Sequence, residues 1–122
     1  MHKQSKRKAY FFGLYAEILA AIYLIFSGYK ILKWRYKTSF GEIDLIAQRK
    51  DIIAIVEVKA RSTIYDASHA LTAHSQNRIC KSAAAFLSSH PCYTNMTIRF
   101  DLIAIGGIGE LRHLDNAWEY RA

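Results

Sequence analysis

The sequence predicts an α/β domain in which a mixed β-sheet is flanked by α-helices. Two apolar segments with strand-like composition, residues 42–49 and 52–60, are separated only by a Lys-Asp pair, which is typical of a β-hairpin. A segment suited to a helix precedes this hairpin at residues 9–27, and another follows at residues 73–89. With 122 residues, the chain has the size of one domain with its own core.

The first helical segment has two interpretations. Residues 9–27 are strongly apolar, follow a basic head and end at Gly28, a residue common at helix C-termini. A basic head and an apolar run also form the pattern of a membrane anchor. Glu17 lies in the middle of the run, where a carboxylate is unfavourable in lipid, and the run is at the lower end of spanning length. We therefore favour a buried first helix, preceded by a basic, mobile N-terminus at residues 1–8.

The remaining elements follow from periodicity and end signals. Thr72 is a good N-cap for the helix at residues 73–89, which is expected to stop before Pro91. The other predicted elements are a first strand at residues 29–37, an irregular connection at 61–72, a fourth strand at 97–105 and a short fifth strand at 110–114.

The composition favours a polyanionic partner. The net charge is +7 and the isoelectric point is about 9.5, which suits nucleic acid or an acidic membrane surface without separating the two. Cys80 and Cys92 lack zinc-ligand spacing and are too few for a disulfide framework. A reduced, cytoplasmic protein is therefore expected.

The central hairpin carries the strongest chemical signal. If the Lys-Asp pair forms its turn, Asp44 lies directly opposite Glu57. In the same register Glu42 lies opposite Lys59. Opposed Cβ atoms are about 4.5–5.5 Å apart, and opposed like charges destabilise a sheet. A divalent cation would relieve this repulsion, since Mg²⁺ favours oxygen ligands that include one or two carboxylates.

An ordinary ion pair on a solvated strand face is the alternative for these residues. In that case Lys59 would pair with Glu57 or Asp44 and nothing more. However, Glu57 and Lys59 interrupt a strand that is otherwise apolar. Because charges are rarely buried without a partner or a task, we favour a functional site.

Asp44, followed on the next strand by Glu57-x-Lys59, resembles the PD-(D/E)xK nuclease motif. The longer string GEIDLI…VEVKAR resembles more specifically the YraN family, small bacterial proteins similar to archaeal Holliday-junction resolvases. The resemblance implies a restriction-endonuclease-like fold for one domain spanning residues 1–122. It also extends to Ala16-Glu17, residues 28–32, Gln76 and Arg78, residues 100–105, and Asn116-Ala117.

The resemblance implies Mg²⁺- or Mn²⁺-dependent hydrolysis of phosphodiester bonds in DNA, with branched DNA as a candidate substrate. Asp44 and Glu57 are expected to hold the metal, with a contribution from the Val58 carbonyl. Lys59 is expected to orient the attacking water or to stabilise developing charge. Two further residues match family positions: Glu17, as a contact to metal-bound water or a base, and Gln76, as a positioner of the phosphate.

Four basic residues are candidates for phosphate contacts: Lys33, Arg35, Arg61 and Arg78. Charge on an exposed edge strand also protects against aggregation, and Arg78 could simply be solvated. Because a junction-cutting enzyme must cut two strands, a homodimer is the natural assembly. A non-catalytic nucleic-acid-binding module of the same fold and a membrane-anchored protein using residues 9–27 remain the alternatives.

Overall fold

The computed structural model of the chain describes residues 2–107 and 109–119, with side chains from residue 12 onward. Its centre is a five-stranded mixed sheet in the order β1-β2-β3-β4-β5, in which β3 and β4 are parallel and the other neighbours are antiparallel. The predicted α/β class is confirmed, and the fold is consistent with a restriction-endonuclease-like architecture. The elements are α1 (His2–Phe26), β1 (Lys30–Thr38), β2 (Gly41–Arg49), β3 (Ile52–Ala60), α2 (Ile64–Ser68), α3 (Ala73–Ser89), a 3₁₀ turn (Pro91–Tyr93), β4 (Thr97–Ile105) and β5 (Leu111–Trp118).

The two long helices cover opposite faces of the sheet. α1 packs Ala16, Ala20 and Leu24 into one core layer, and the two alanines at i and i+4 let its backbone approach the strands closely. α3 packs into the other layer, where Ile79 and Phe86 are buried against the central strands. Burying a side chain such as Phe86 contributes about 1.5–3 kcal/mol, so each helix is held mainly by its apolar contacts.

The register of the β2–β3 hairpin is the predicted one over its paired part. Leu45 lies opposite Val56, and the ladder runs from there to the Lys-Asp turn. Beyond this pair the described ladder between the two strands ends, whereas β3 stays paired with β4 as far as Ala60. The expected pairing of Glu42 with Lys59 is wrong, because the ladder ends at Leu45 and Val56; Glu42 pairs only on the other side of β2, with Lys37 of β1. Counted from the turn, Leu45 is the last paired residue of β2, and the two strands separate from Asp44 onward.

A local rotation of β1 and β2 accompanies this separation. Arg35 has a φ of +54°, a left-handed conformation that is uncommon for a residue with a side chain. On the neighbouring strand, Leu45 packs in the α1 layer but Ile43 packs in the α3 layer, although residues two apart in a regular strand share a face. The strand thus turns over at Asp44, between these two residues.

Three predicted boundaries are wrong. α1 begins at His2 rather than residue 9, so the basic head continues the helix. The connection at residues 61–72 contains α2, whose first turn is capped by the Thr63 side chain. β5 extends to Trp118 rather than residue 114, because the backbone N–H of Asn116 donates to Asp101 and holds the strand beyond an irregularity.

The expected burial of the first helix holds along one side of α1 only. Ala16, Ala20 and Leu24 are at most 1% exposed, whereas Phe26 is 88% exposed. No helix in residues 2–107 and 109–119 is long and apolar enough to cross a membrane.

A buried polar network joins α1 to the last two strands. Asp101 is fully buried and accepts hydrogen bonds from Arg99 and from Nε2 of His113. The hydroxyl of Tyr23 in α1 lies 2.9 Å from Nδ1 of the same histidine. Asp101 thus pairs with Arg99 and, through His113 and Tyr23, connects the last two strands to α1.

Candidate active site

The predicted carboxylates lie in a solvent-connected cavity of about 310 Å³, where α1 crosses the end of the β2–β3 hairpin. The cavity opens where the two strands separate, and the middle of α1 lines one side of it. Its lining residues are Phe12, Gly13, Ala16, Glu17, Asp44, Glu57, Val58, Lys59, Ala60 and Arg61.

Asp44 is fixed by the backbone of the neighbouring strand. Its Oδ2 accepts a hydrogen bond of 2.8 Å from the N–H of Val58. This N–H lies beyond the last described pair of the β2–β3 ladder, and a buried donor needs a replacement acceptor there. The separation of the strands therefore produces both the cavity and the hydrogen bond that aims Asp44 into it.

Asp44 and Glu57 form a mutually interacting pair of carboxyl groups. Burial and the neighbouring Asp44 charge raise the pKa of Glu57 to about 9. Burial also raises the pKa of Asp44, although its hydrogen bonds with Glu57 and Val58 act in the opposite direction. In the absence of a cation the pair therefore retains one proton near neutral pH, shared between the two carboxyl groups.

Lys59 lies beside this pair. Its Nζ is 3.6 Å from Oε2 of Glu57, and its side chain is 25% exposed. The contact that the sequence offered as the simple alternative is therefore present, between the ammonium and a carboxyl pair that keeps one proton. Lys59 lowers the pKa of Glu57, but burial and the Asp44 charge outweigh it. A single ammonium therefore does not neutralise both carboxylates, and the pair retains its proton.

Glu17 contributes a third carboxylate from α1. Its Oε1 accepts hydrogen bonds from Trp34 Nε1 at 2.8 Å and from Arg35 Nε at 2.9 Å. The contact from Arg35 Nη2 to Oε2 is longer, at 3.4 Å. The left-handed conformation of Arg35 brings its side chain to α1, so the distortion of β1 fixes the orientation of Glu17. Oε2 is the more weakly bonded oxygen.

The residues present fit a divalent cation with oxygen ligands. Within residues 12–107 and 109–119, no group of three or more His, Cys, Asp or Glu side chains forms a metal cluster. Mg²⁺ needs fewer, since one or two carboxylates, water and substrate phosphate complete its coordination. Asp44 and Glu57 already share a proton in a solvent-connected cavity, and a cation can replace that proton. Val58 follows Glu57 in β3 and also lines the cavity, so its carbonyl is a further candidate oxygen ligand.

The other predicted residues divide into two groups. Arg61 lines the cavity, and Arg35 reaches it through Glu17. Gln76 and Arg78 lie on α3, which packs on the opposite layer, and Lys33 lies on β1; these three are not among the lining residues. Their predicted contacts to phosphate stay predictions.

Sequence reasoning missed four lining residues, Phe12, Gly13, Ala16 and Ala60. Gly13 lies four residues before Glu17 and therefore on the same helical face, so helical spacing carried a usable signal for it, whereas Phe12 and Ala16 are five residues and one residue away. A charged residue that faces a cavity brings its neighbours on the same helical face with it.

Comparisons with known proteins assign the chain to a family. A family model described as "Uncharacterised protein family UPF0102" matches residues 16–105. The UPF0102 protein RPA0323 of Rhodopseudomonas palustris is 49% identical over 107 residues, covering 88% of this chain and 82% of the relative. A UPF0102 protein of Nitrobacter winogradskyi is 44% identical over 111 residues, covering 91% of this chain and 94% of the relative.

Proposed function

The chain belongs to the UPF0102 family, the YraN family of the sequence resemblance, and we propose that it is a divalent-metal-dependent nuclease that hydrolyses phosphodiester bonds in cytoplasmic DNA. The observation that carries this proposal is the buried pair of Asp44 and Glu57, which lies beside Lys59 in a solvent-connected cavity. Two carboxylates and a lysine on adjacent strands supply what a metal-assisted phosphoryl transfer requires.

Asp44 and Glu57 would hold Mg²⁺ or Mn²⁺, with the Val58 carbonyl as a further oxygen ligand. When bound, the metal polarises a phosphoryl oxygen and lowers the pKa of its bound water. Asp44 is oriented for this role by the 2.8 Å hydrogen bond from Val58. Glu57 gives up its proton when a cation takes its place.

Lys59 and Glu17 act on the reacting groups. Lys59 stabilises the negative charge that develops on the phosphate, because its ammonium faces the same cavity as the carboxylates. Glu17 presents Oε2 to a water in the cavity, since Trp34 and Arg35 occupy mainly Oε1. It orients this water and can accept its proton.

Basic residues bind the DNA backbone without reading its sequence. Arg61 lines the cavity and is exposed, so it is placed to contact a phosphate next to the scissile bond. The net charge of +7 supplies a salt-dependent affinity for polyanions. Branched DNA is the substrate suggested by the resemblance to junction resolvases.

A cleavage assay tests the proposal. Purified protein is incubated with labelled four-way junction, duplex, flap and single-stranded DNA in Mg²⁺ or Mn²⁺. We expect metal-dependent cutting that falls by at least about 100-fold in Asp44→Ala and in Lys59→Ala. Lys50→Ala and Asp51→Ala are matched controls, because they remove the same charges at the exposed turn of the same hairpin.

The outcomes separate the competing functions. Cutting that survives both site substitutions would reject the proposed site. Absence of cutting by a wild-type protein that still binds DNA would favour the non-catalytic binding module. Loss of cutting in the controls as well would show that the substitutions act through folding of the hairpin.

A further inference from the structure

The outward side of α1 is an uncovered apolar surface. Five of its side chains are between 42% and 88% exposed, and Trp34 of β1 is 50% exposed. On a helix with about 100° between residues, the five lie within roughly a third of the circumference. We call this surface the α1 face, and it consists of Tyr15, Ile18, Ile22, Ile25, Phe26 and Trp34.

The α1 face lacks the charges that keep exposed helices soluble. From residue 9 to residue 29, Glu17 is the one charged residue, and it lies at the active-site cavity, bonded to Trp34 and Arg35. A helix that is apolar on its outer side as well as its inner side normally buries both. The rest of the chain is strongly basic, so the absence of lysine and arginine here is local.

The α1 face contains a projection and a recess of matching chemistry. Phe26 is the projection, at 88% exposure. The recess is an apolar groove of about 200 Å³, and it is lined by Ile18, Ala21, Ile22, Ile31, Trp34 and Leu45. Phe26 lies one helical turn after Ile22, and Ile18 lies one turn before it.

From this geometry we propose that the α1 face binds the α1 face of a second copy of the chain, with the two helices antiparallel and a two-fold axis near Ile22. This axis brings Phe26 of each copy onto the Ile18 end of the partner groove. A two-fold interface requires such self-complementarity, because each surface patch must match itself.

The exposed area lies at the lower end of the range for stable interfaces, about 600–1,000 Å² per partner. The exposed fractions of the six residues, applied to typical areas of large side chains, amount to roughly 650 Å² per chain. A standard protein–protein interface buries about 800 Å² per partner. Partly exposed neighbours in α1, such as Leu19 and Ala21, supply part of the difference.

Electrostatics also favours the antiparallel pair. The basic residues 2–8 lie at the N-terminal end of α1, so antiparallel packing sends the two basic segments to opposite ends of the dimer. Two chains with a net charge of +7 each thus meet through an uncharged surface.

The pairing itself does not rest on the proposed function. If the chain is a nuclease, the pair would also present two cavities to two DNA strands.

The molar mass of the full chain in solution tests the inference. Sedimentation equilibrium should give twice the chain mass of 14.0 kDa, and Ile22→Glu and Ile22→Lys should each give the single-chain mass. Near a two-fold axis each substitution places like charges together. An equimolar mixture of the two variants should therefore recover the doubled mass. Tyr65→Glu is the control, because Tyr65 is 67% exposed but lies on α2, and it should remain dimeric.

Several results would overturn the pairing. These are a wild-type chain of single mass, a doubled mass that persists in both Ile22 variants, or a mixture that stays monomeric while both variants keep the wild-type circular dichroism spectrum. A monomer that sediments with phosphatidylglycerol vesicles and loses this property in Phe26→Glu would show that lipid covers the α1 face instead. Because mass is measured without DNA or metal, failure here leaves the cleavage result unaffected.

Discussion

The side chain of Asp44 replaces a missing strand partner for Val58. Its Oδ2 accepts the Val58 N–H at 2.8 Å, just beyond the last described pair of the β2–β3 ladder, Leu45 with Val56. The same separation of strands opens the cavity in which Glu57 and Lys59 lie. The hydrogen bond from Val58 to Asp44 and the cavity around the carboxyl pair therefore both follow from the separation of β2 and β3, and both can be tested.

Glu57→Gln should stabilise the metal-free protein above neutral pH. The pKa of Glu57 is about 4.5 in the unfolded chain and about 9 in the folded chain. Between these values the unfolded chain has released a proton that the folded chain retains, so stability falls as pH rises. Glutamine removes this effect, and we expect a gain on the order of 2 kcal/mol at about pH 8.

Urea unfolding in EDTA at about pH 5 and about pH 8 measures this difference. Glu42→Gln is the matched control, since Glu42 is exposed on the same strand pair, and it should change stability little. A Glu57→Gln protein that is no more stable than wild type at the higher pH would show that the carboxyl pair is not strained.

Asp101→Asn should destabilise the protein at neutral pH by about 2–4 kcal/mol, because it leaves Arg99 without its buried counter-charge. Burial alone would raise the pKa of Asp101, but the hydrogen bonds from His113, Arg99 and the Asn116 backbone hold it below its usual range. The stabilisation is therefore present above the unfolded pKa of 3.8 and is lost as pH falls through the lower folded value.

Chemical denaturation from neutral pH down to acid should show the wild-type advantage over Asp101→Asn shrinking below that value. Asp115→Asn, an exposed substitution on β5, should behave like wild type throughout. An equal gap between wild type and Asp101→Asn at all pH values would argue that only packing changed.

The surroundings of Asp44, Glu57 and Asp101 illustrate which parts of the structure the sequence could reveal. The β2–β3 register follows from a two-residue turn and local alternation, so the closeness of Asp44 and Glu57 was accessible. The end of the ladder was not, because it depends on the left-handed Arg35 in β1 and on the continued pairing of β3 with β4. Similarly, Arg99 and Asp101 lie two residues apart on one strand and share a face, so their contact was accessible, whereas the contact from His113 depends on how β5 pairs with β4.

α1 shows the same division between features that the sequence could reveal and features that need the tertiary fold. Glu17 was identified through the resemblance, yet its partners Trp34 and Arg35 are distant in sequence and need the tertiary fold. Apolar periodicity located α1 but could not tell which apolar side faces the sheet, since residues 9–27 are apolar nearly all round. The extension of the helix through the basic head was missed because solvated lysines do not signal a helix boundary.

Gly107→Ala should destabilise the fold. A Cβ at Gly107 would lie 2.7 Å from the backbone oxygen of Ser62, and this contact between the β4–β5 turn and the start of the α2 region cannot relax through a side chain. We expect a loss of about 1–3 kcal/mol. Gly13→Ala is the control, because the added Cβ meets no described atom within 4 Å beyond its own stretch of helix and alanine favours a helix by about 0.5–1 kcal/mol.

Thermal unfolding of the two variants compares them directly. The melting temperature should fall for Gly107→Ala and should hold or rise for Gly13→Ala. A Gly107→Ala protein as stable as wild type would mean that the turn can move away from Ser62.

Arg61→Gln should weaken DNA binding uniformly across sequences. If Arg61 contacts one phosphate, the slope of the logarithm of affinity against the logarithm of salt concentration should decrease by about one unit. Fluorescence anisotropy with labelled duplexes of unrelated sequence measures this. Lys50→Gln removes a charge at the far turn of the hairpin, and its slope should match that of wild type. An unchanged slope in Arg61→Gln would remove Arg61 from the interface.

Binding of Mn²⁺ measured by isothermal titration calorimetry tests the central claim most directly, because every catalytic role assigned here depends on a cation held by Asp44 and Glu57. The wild-type chain should bind Mn²⁺ saturably, and Asp44→Asn should weaken this binding by at least about tenfold, the range seen when groups of a metal site are removed. Asp51→Asn, at the exposed turn of the same hairpin, should retain it. Equal Mn²⁺ binding by wild type and a folded Asp44→Asn protein would contradict the assignment of this site.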